Sequence, residues 1–82
     1  MYKAHITVTL RSSILDPQGK AAHHALGELG FASVQSVRIG KFIELNIEAE
    51  SVVEAKVMAE NACKQLLANA VMEDFHVEIQ SV

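Results

Sequence analysis

A single cysteine, Cys63, leaves this chain without an internal disulfide or a CxxC half-site, so a disulfide scaffold and a cysteine-based zinc knuckle are both excluded. Tryptophan is absent and aromatic residues make up only 5% of the chain, which leaves few rings for stacking nucleobases. Basic residues are also scarce. Seven Lys+Arg against ten Asp+Glu give a net charge of −3, so there is no electrostatic reason to seek DNA, RNA or an anionic membrane surface. No stretch approaches the roughly 18 uninterrupted apolar residues of a membrane span. The first residues, Met1-Tyr2-Lys3-Ala4-His5, lack the apolar run of a signal peptide. These absences lead to the expectation of a reduced, cytoplasmic domain with neither a nucleic acid nor a membrane as partner.

What is present is an ordinary globular balance, with 50% hydrophobic and 21% charged residues over 82 positions. That length makes one domain, residues 1–82, and a small one. A chain of this size buries only about 60–65% of the surface it exposes when unfolded, so association with other chains is expected.

In residues 2–11 the apolar Ala4, Ile6, Val8 and Leu10 alternate with Lys3, His5, Thr7, Thr9 and Arg11, the pattern of a strand with one buried face. Asp16-Pro17 carries the start signals of a helix, a side chain that accepts from free backbone N–H groups and a residue that needs no donor at N1. Ala22, Ala25, Leu26 and Leu29 form the stripe of that helix, and Gly30 supplies its left-handed stop. A second strand is expected over Val34–Ile39, then a turn at Gly40 and a third strand over Phe42–Glu48. A three-residue loop, Gly40 to Phe42, would put Val37, Ile39, Ile43 and Leu45 on one face. Ser51 and Glu54 open a second helix with a capping box, followed by an inner stripe of Ala55, Ala59, Ala62 and Leu66. The last strand, Phe75–Ser81, turns Phe75, Val77 and Ile79 inward.

The order is βαββαβ, the ferredoxin-like order. It predicts an α+β two-layer sandwich, a four-stranded antiparallel sheet with two helices on one face. The opposite face then shows Lys3, His5, Thr7, Thr9, Glu44, Asn46, His76, Glu78 and Gln80, a mixed polar surface. Those residue types do not suit RNA, which needs exposed rings in a basic setting.

No hydrolase elbow, Walker loop, GxGxxG or HExxH motif occurs. Glu44, Glu48 and Glu78 read as solvated strand residues rather than as an acid–base pair. His23 and His24 point some 100° apart on their helix and share no ligand. A zinc set of His5, His76 and Glu78 is conceivable on the outer face but lacks the tight spacing of such sites. Cys63, beside an apolar helix stripe, reads as a small buried hydrophobe and not as a nucleophile. The turn Val37-Arg38-Ile39-Gly40-Lys41-Phe42 sets two cations and an aromatic ring on an acidic chain. That is the composition of an interface anchor, or of an exposed hairpin with incidental charges. Gly19 costs the first helical turn up to about 1 kcal/mol against alanine, and close backbone approach by a partner would account for it.

The same segments carry a family resemblance. Val8-Thr9-Leu10, Leu15-Asp16-Pro17-Gln18-Gly19-Lys20-Ala21, Val37-Arg38-Ile39-Gly40-Lys41-Phe42-Ile43-Glu44-Leu45 and Leu66-Leu67-Ala68-Asn69-Ala70-Val71-Met72-Glu73-Asp74-Phe75 make the chain resemble the PurS family. This family is the small subunit of phosphoribosylformylglycinamidine synthase, the glutamine-dependent amidation step of purine biosynthesis. The resemblance departs at Ala70, where the family commonly has proline, which loosens the turn after the second helix. It implies a non-catalytic assembly subunit with no active site of its own, within an ATP- and glutamine-dependent ligase. It implies a homodimer or higher homo-oligomer that bridges a large synthetase subunit and a glutaminase subunit and supports ammonia transfer. ATP, magnesium and glutamine would be used by those partners, with no cofactor on this chain. Asp16, Gly19, Arg38, Gly40, Lys41 and Phe42 are the candidate interface residues, and strand edges or the outer sheet face are expected to pair the protomers. The alternative is a small-molecule-sensing regulatory module of the same topology, which rests on fold analogy alone.

Overall fold

A computed structural model of the chain describes every residue except residue 70, so the family departure at Ala70 lies outside the described residues. Alternation in the first segment produces β1 (Tyr2–Leu10), whose Ala4, Ile6 and Val8 are fully buried. It pairs antiparallel with β2 (Lys41–Ile47) on one side and β3 (Glu73–Ser81) on the other. The result is a three-stranded sheet in the order β2-β1-β3.

The register puts the expected polar residues in rows on one face. His5 lies between Glu44 and Glu78, and Thr7 between Phe42 and His76. Ala4 lies between Leu45 and Ile79, and Ile6 between Ile43 and Val77, on the other face. Period-two alternation therefore had its expected consequence on all three strands.

The helix α2 (Val52–Ala62) covers this apolar face. Ser51 Oγ accepts from Glu54 N at 3.1 Å, as the capping signal requires. Ala55 and Ala59 are fully buried and let the helix sit close to the sheet. The stripe then changes phase. Residues Cys63–Leu67 form a π-helical turn, closed by Ala68 N to Cys63 O at 3.0 Å. The wider turn brings Cys63 and Ala68 into the core and turns Leu66 out, where it is 82% exposed rather than inward as expected. Burial, with Glu60 nearby as a lesser cause, pushes the Cys63 thiol up. A thiol so placed is inert packing.

The fold departs from expectation between the first and second halves. Residues 34–39 join no strand of the sheet, and Gly40-Lys41-Phe42 is not a hairpin loop, because β2 already begins at Lys41 opposite Val8. Val37 and Ile39 therefore do not share a sheet face with Ile43 and Leu45. The helix α1 (Pro17–Glu28) forms where predicted but does not lie on the sheet. Among the described residues α2 packs against β1 and β3, whereas α1 has no comparable contact with any strand. Its expected inner stripe is correspondingly open, with Ala25 exposed and Leu29 73% exposed.

The shape records this. The molecule measures 50 × 27 × 13 Å, and its radius of gyration is 16.0 Å, against about 12 Å for a closed chain of this length. Since nine residues of β1 span about 30 Å, α1 and the segment returning from it extend the molecule as an arm.

Candidate interface at the junction of arm and sheet

One carboxylate ties the two segments of the arm together at its base. Asp16 Oδ1 accepts from Gly19 N at 2.9 Å, which caps α1. Its Oδ2 accepts from Ile39 N, also at 2.9 Å, which ties the returning segment to the helix start. The hydrogen bond from Ile39 N–H, with that from Gly19 N–H and the charge of Arg38, holds the Asp16 carboxyl below the usual carboxylate range. Arg38 in turn donates through Nη2 to the carbonyl oxygen of Leu10, at the end of β1. Farther out, His23 Nε2 and the Val34 carbonyl oxygen lie 2.9 Å apart, a second brace between helix and returning segment.

Both glycines of the junction are explained by close backbone approach. A Cβ on Gly19 would lie 2.4 Å from the Val37 carbonyl oxygen, and a Cβ on Gly40 would lie 2.1 Å from that of Val8. The approach at Gly19 comes from the same chain, and Gly19 is buried by it. Asp16, Gly19, Arg38 and Gly40, chosen from sequence as contact residues, thus converge on one junction. Lys41 is the first residue of β2 beside them. Together with Leu10, Pro17, Gln18, Ile39 and Glu73, three of these line a shallow depression of about 340 Å³.

Phe42 sits one residue farther along β2, on the polar sheet face. It is 60% exposed, and its ring centroid lies 5.6 Å from that of His5 at an interplanar angle of 49°. His5 Nε2 also lies 3.7 Å from Glu44 Oε1. Among the described residues no group of three His, Cys, Asp or Glu side chains is placed to hold a metal ion. No helix among them is long and apolar enough to cross a membrane.

Sequence reading missed two features of the arm. Val37 and Leu10 act through their carbonyl groups, which no side-chain pattern announces. Phe31, 55% exposed, lies just past Gly30, whose φ of 100° closes α1. Phe31 N bonds to Leu26 O at 2.9 Å and Gly30 N to Gly27 O at 3.3 Å, a Schellman stop that carries the apolar stripe past the stop glycine. An apolar residue at that position after a stop glycine was the available signal.

A half-covered sheet joined to a braced, projecting helix defines a class of open-faced α+β chains that leave apolar side chains exposed. Comparison with known proteins narrows the class. Residues 3–81 match the family described as PurS, phosphoribosylformylglycinamidine (FGAM) synthase. The chain is 46% identical over 82 residues to the phosphoribosylformylglycinamidine synthase subunit PurS of Bacillus subtilis (strain 168), covering 100% of this chain and 96% of that one. Among solved structures, PurS of Methanocaldococcus jannaschii superposes with a TM-score of 0.91 at 35% identity, covering 100% of this chain and 99% of that one. A chain in the structure of PurLQS from Thermotoga maritima superposes with a TM-score of 0.88 at 35% identity, each chain covered to 96%. The chain belongs to the PurS family.

Proposed function

We propose that the chain serves as the assembly subunit of phosphoribosylformylglycinamidine synthase, without an active site of its own. The observation that carries this reading is the end-to-end likeness to a chain solved within a PurLQS assembly. The finer reading is a cytoplasmic homodimer, or a higher homo-oligomer, bridging a large synthetase subunit and a glutaminase subunit. ATP, magnesium and glutamine are then used by those partners, and this chain binds no cofactor. Ammonia released from glutamine would protonate or diffuse away in bulk water. A subunit that helps seal the route between two active sites therefore has a chemical purpose. The surface supports association. A folded chain of 8.9 kDa exposes about 4,800 Å², whereas this one exposes 5885 Å². The four-stranded sandwich expected from the βαββαβ order then belongs to the assembled form.

Reconstitution tests the reading. The synthetase and glutaminase subunits are assayed with substrate, ATP and magnesium, with and without this chain, on glutamine and then on ammonia. The expected result is glutamine-dependent product only when the chain is present, and ammonia-dependent product either way. Glutamine-dependent turnover indifferent to the chain would contradict it and bring the small-molecule sensor forward.

A further inference from the structure

We infer that the base of the arm holds a binding site for a small phosphate monoester. The turn after β1, the first half of α1 and the returning segment build it together. The inference goes beyond the assembly reading and does not rest on it.

The site is an open cavity of about 480 Å³, within the range of small-ligand pockets. Ser12, Ser13, Lys20, His23, Gln35 and Ser36 supply its polar wall. A turn closed by Ile14 N to Arg11 O at 2.9 Å places Ser12 and Ser13 at its two central positions. Their own amides bond to no backbone carbonyl among the described residues. In the same set, the hydroxyls of Ser12, Ser13 and Ser36 and the ammonium of Lys20 have no hydrogen-bond or ion-pair partner. His23 Nε2 must carry the hydrogen to bond the Val34 carbonyl, so Nδ1 of the neutral ring keeps a lone pair for a ligand hydroxyl.

The chemistry of this wall is donation. A phosphate group offers several acceptor oxygens and two units of charge, and hydroxyls with an ammonium are the donors that match it. Asp16 is the one carboxylate among the lining residues, and both of its oxygens already accept from backbone N–H groups. The depression beside Leu10 differs, because it sets Asp16 and Glu73 against Lys41 alone and so disfavours an anion. The acceptor on His23 suits a hydroxyl in the organic part of the ligand, which separates a monoester from free phosphate. The walls are fixed before any ligand arrives. Asp16 joins helix start to returning segment, Arg38 ties that segment to the end of β1, and His23 braces it farther out. Such bracing lowers the ordering cost of binding. A ligand seated there bridges all three segments and stiffens the arm.

The test titrates the isotope-labelled full chain with glycerol 3-phosphate to about 20 mM and follows its backbone amides by NMR. Sodium chloride at equal ionic strength is the control. Saturating shifts centred on residues 12–15, 20–23 and 35–37, absent in sodium chloride, are the expected result. Lys20→Met changes an exposed helical position and should weaken binding about tenfold, the loss of one charge-assisted hydrogen bond. Ser12→Ala with Ser13→Ala lies outside every helix and strand and should also weaken it, which keeps the test open should the first variant fold poorly. Shifts that never saturate, that sodium chloride reproduces, or that persist at full strength in both variants would overturn the site. Spectra unchanged at the highest concentration would overturn it too. Inorganic phosphate binding as tightly as glycerol 3-phosphate would overturn the monoester assignment. Reconstitution with the partner subunits reads the assembly role separately, so the two proposals fail independently.

Discussion

The body of the sheet and the arm are made from similar residues and reach opposite outcomes. In the body, Ala4, Ile6 and Val8 of β1 meet Ala55, Ala59 and Cys63 in a closed core, with no buried polar side chain among the described residues. In the arm, Gly19 is the only buried residue of α1, and Leu29 and Phe31 stand in solvent. Amphipathic pattern fixes which face of an element is apolar. It says nothing of whose surface covers that face. The body is closed by short connections that return each element onto the sheet. The arm is held away by backbone clamps at Asp16, Gly19 and Arg38.

The sharpest way to break this contrast is in the body. Ile6→Ala removes a fully buried side chain at the sheet centre and should cost about 2–5 kcal/mol, read as a large fall in melting temperature. Gly40→Ala comes next. Its Cβ must displace the Val8 carbonyl, so a loss of about 1–3 kcal/mol is expected in denaturant unfolding, with the start of β2 losing its pairing first. In the arm the sign of the contrast reverses. Leu29→Ser with Phe31→Ser should change the stability of an isolated chain by no more than about 0.5 kcal/mol, yet shift it from oligomer to monomer in light scattering. Arg38→Ala with Phe42→Ala should likewise weaken assembly with the partner subunits while leaving the melting temperature nearly unchanged. Unfolding of that double variant would show that the exposed Arg38 clamp on the Leu10 carbonyl supports the fold itself and not assembly alone.

The smallest effect is pH-dependent and belongs to the clamp. The folded carboxyl of Asp16 is held below its unfolded value, so its contribution is present above about pH 4 and is lost as pH falls through the lowered folded value. Amide shifts of Gly19 and Ile39 should move together in that acid range, and Asp16→Asn should abolish the transition. Among the described residues the body core holds no buried titratable carboxylate, and it should not follow.

Much of this architecture was legible in the sequence. The alternation of β1 and the signals at Asp16-Pro17, Gly30 and Ser51 acted where expected, because each is local chemistry between neighbouring residues. The β2 side was less legible. Val37 and Ile39 carry a strand-like alternation, but the amide of Ile39 goes to a carboxylate 23 residues earlier, a pairing that no local pattern contains. Leu66 fell outward because one π-helical turn shifts the α2 stripe, and a helical period of 3.6 does not foresee that shift. Asp16, Gly19, Arg38 and Gly40 come together at the junction through contacts within the chain. Side-chain types could not reveal that its clamps use the carbonyl groups of Leu10, Val8 and Val37.

Sedimentation of the wild-type chain across a dilution series tests most directly the claim that one copy is incomplete. The account predicts a mass of twice 8.9 kDa, or a higher multiple, at micromolar concentration. It also predicts dissociation on dilution, hastened by Leu29→Ser with Phe31→Ser. A mass of 8.9 kDa at every concentration, with a radius of gyration near the 12 Å of a closed chain, would show that the arm folds back on its own sheet. That result would contradict the account.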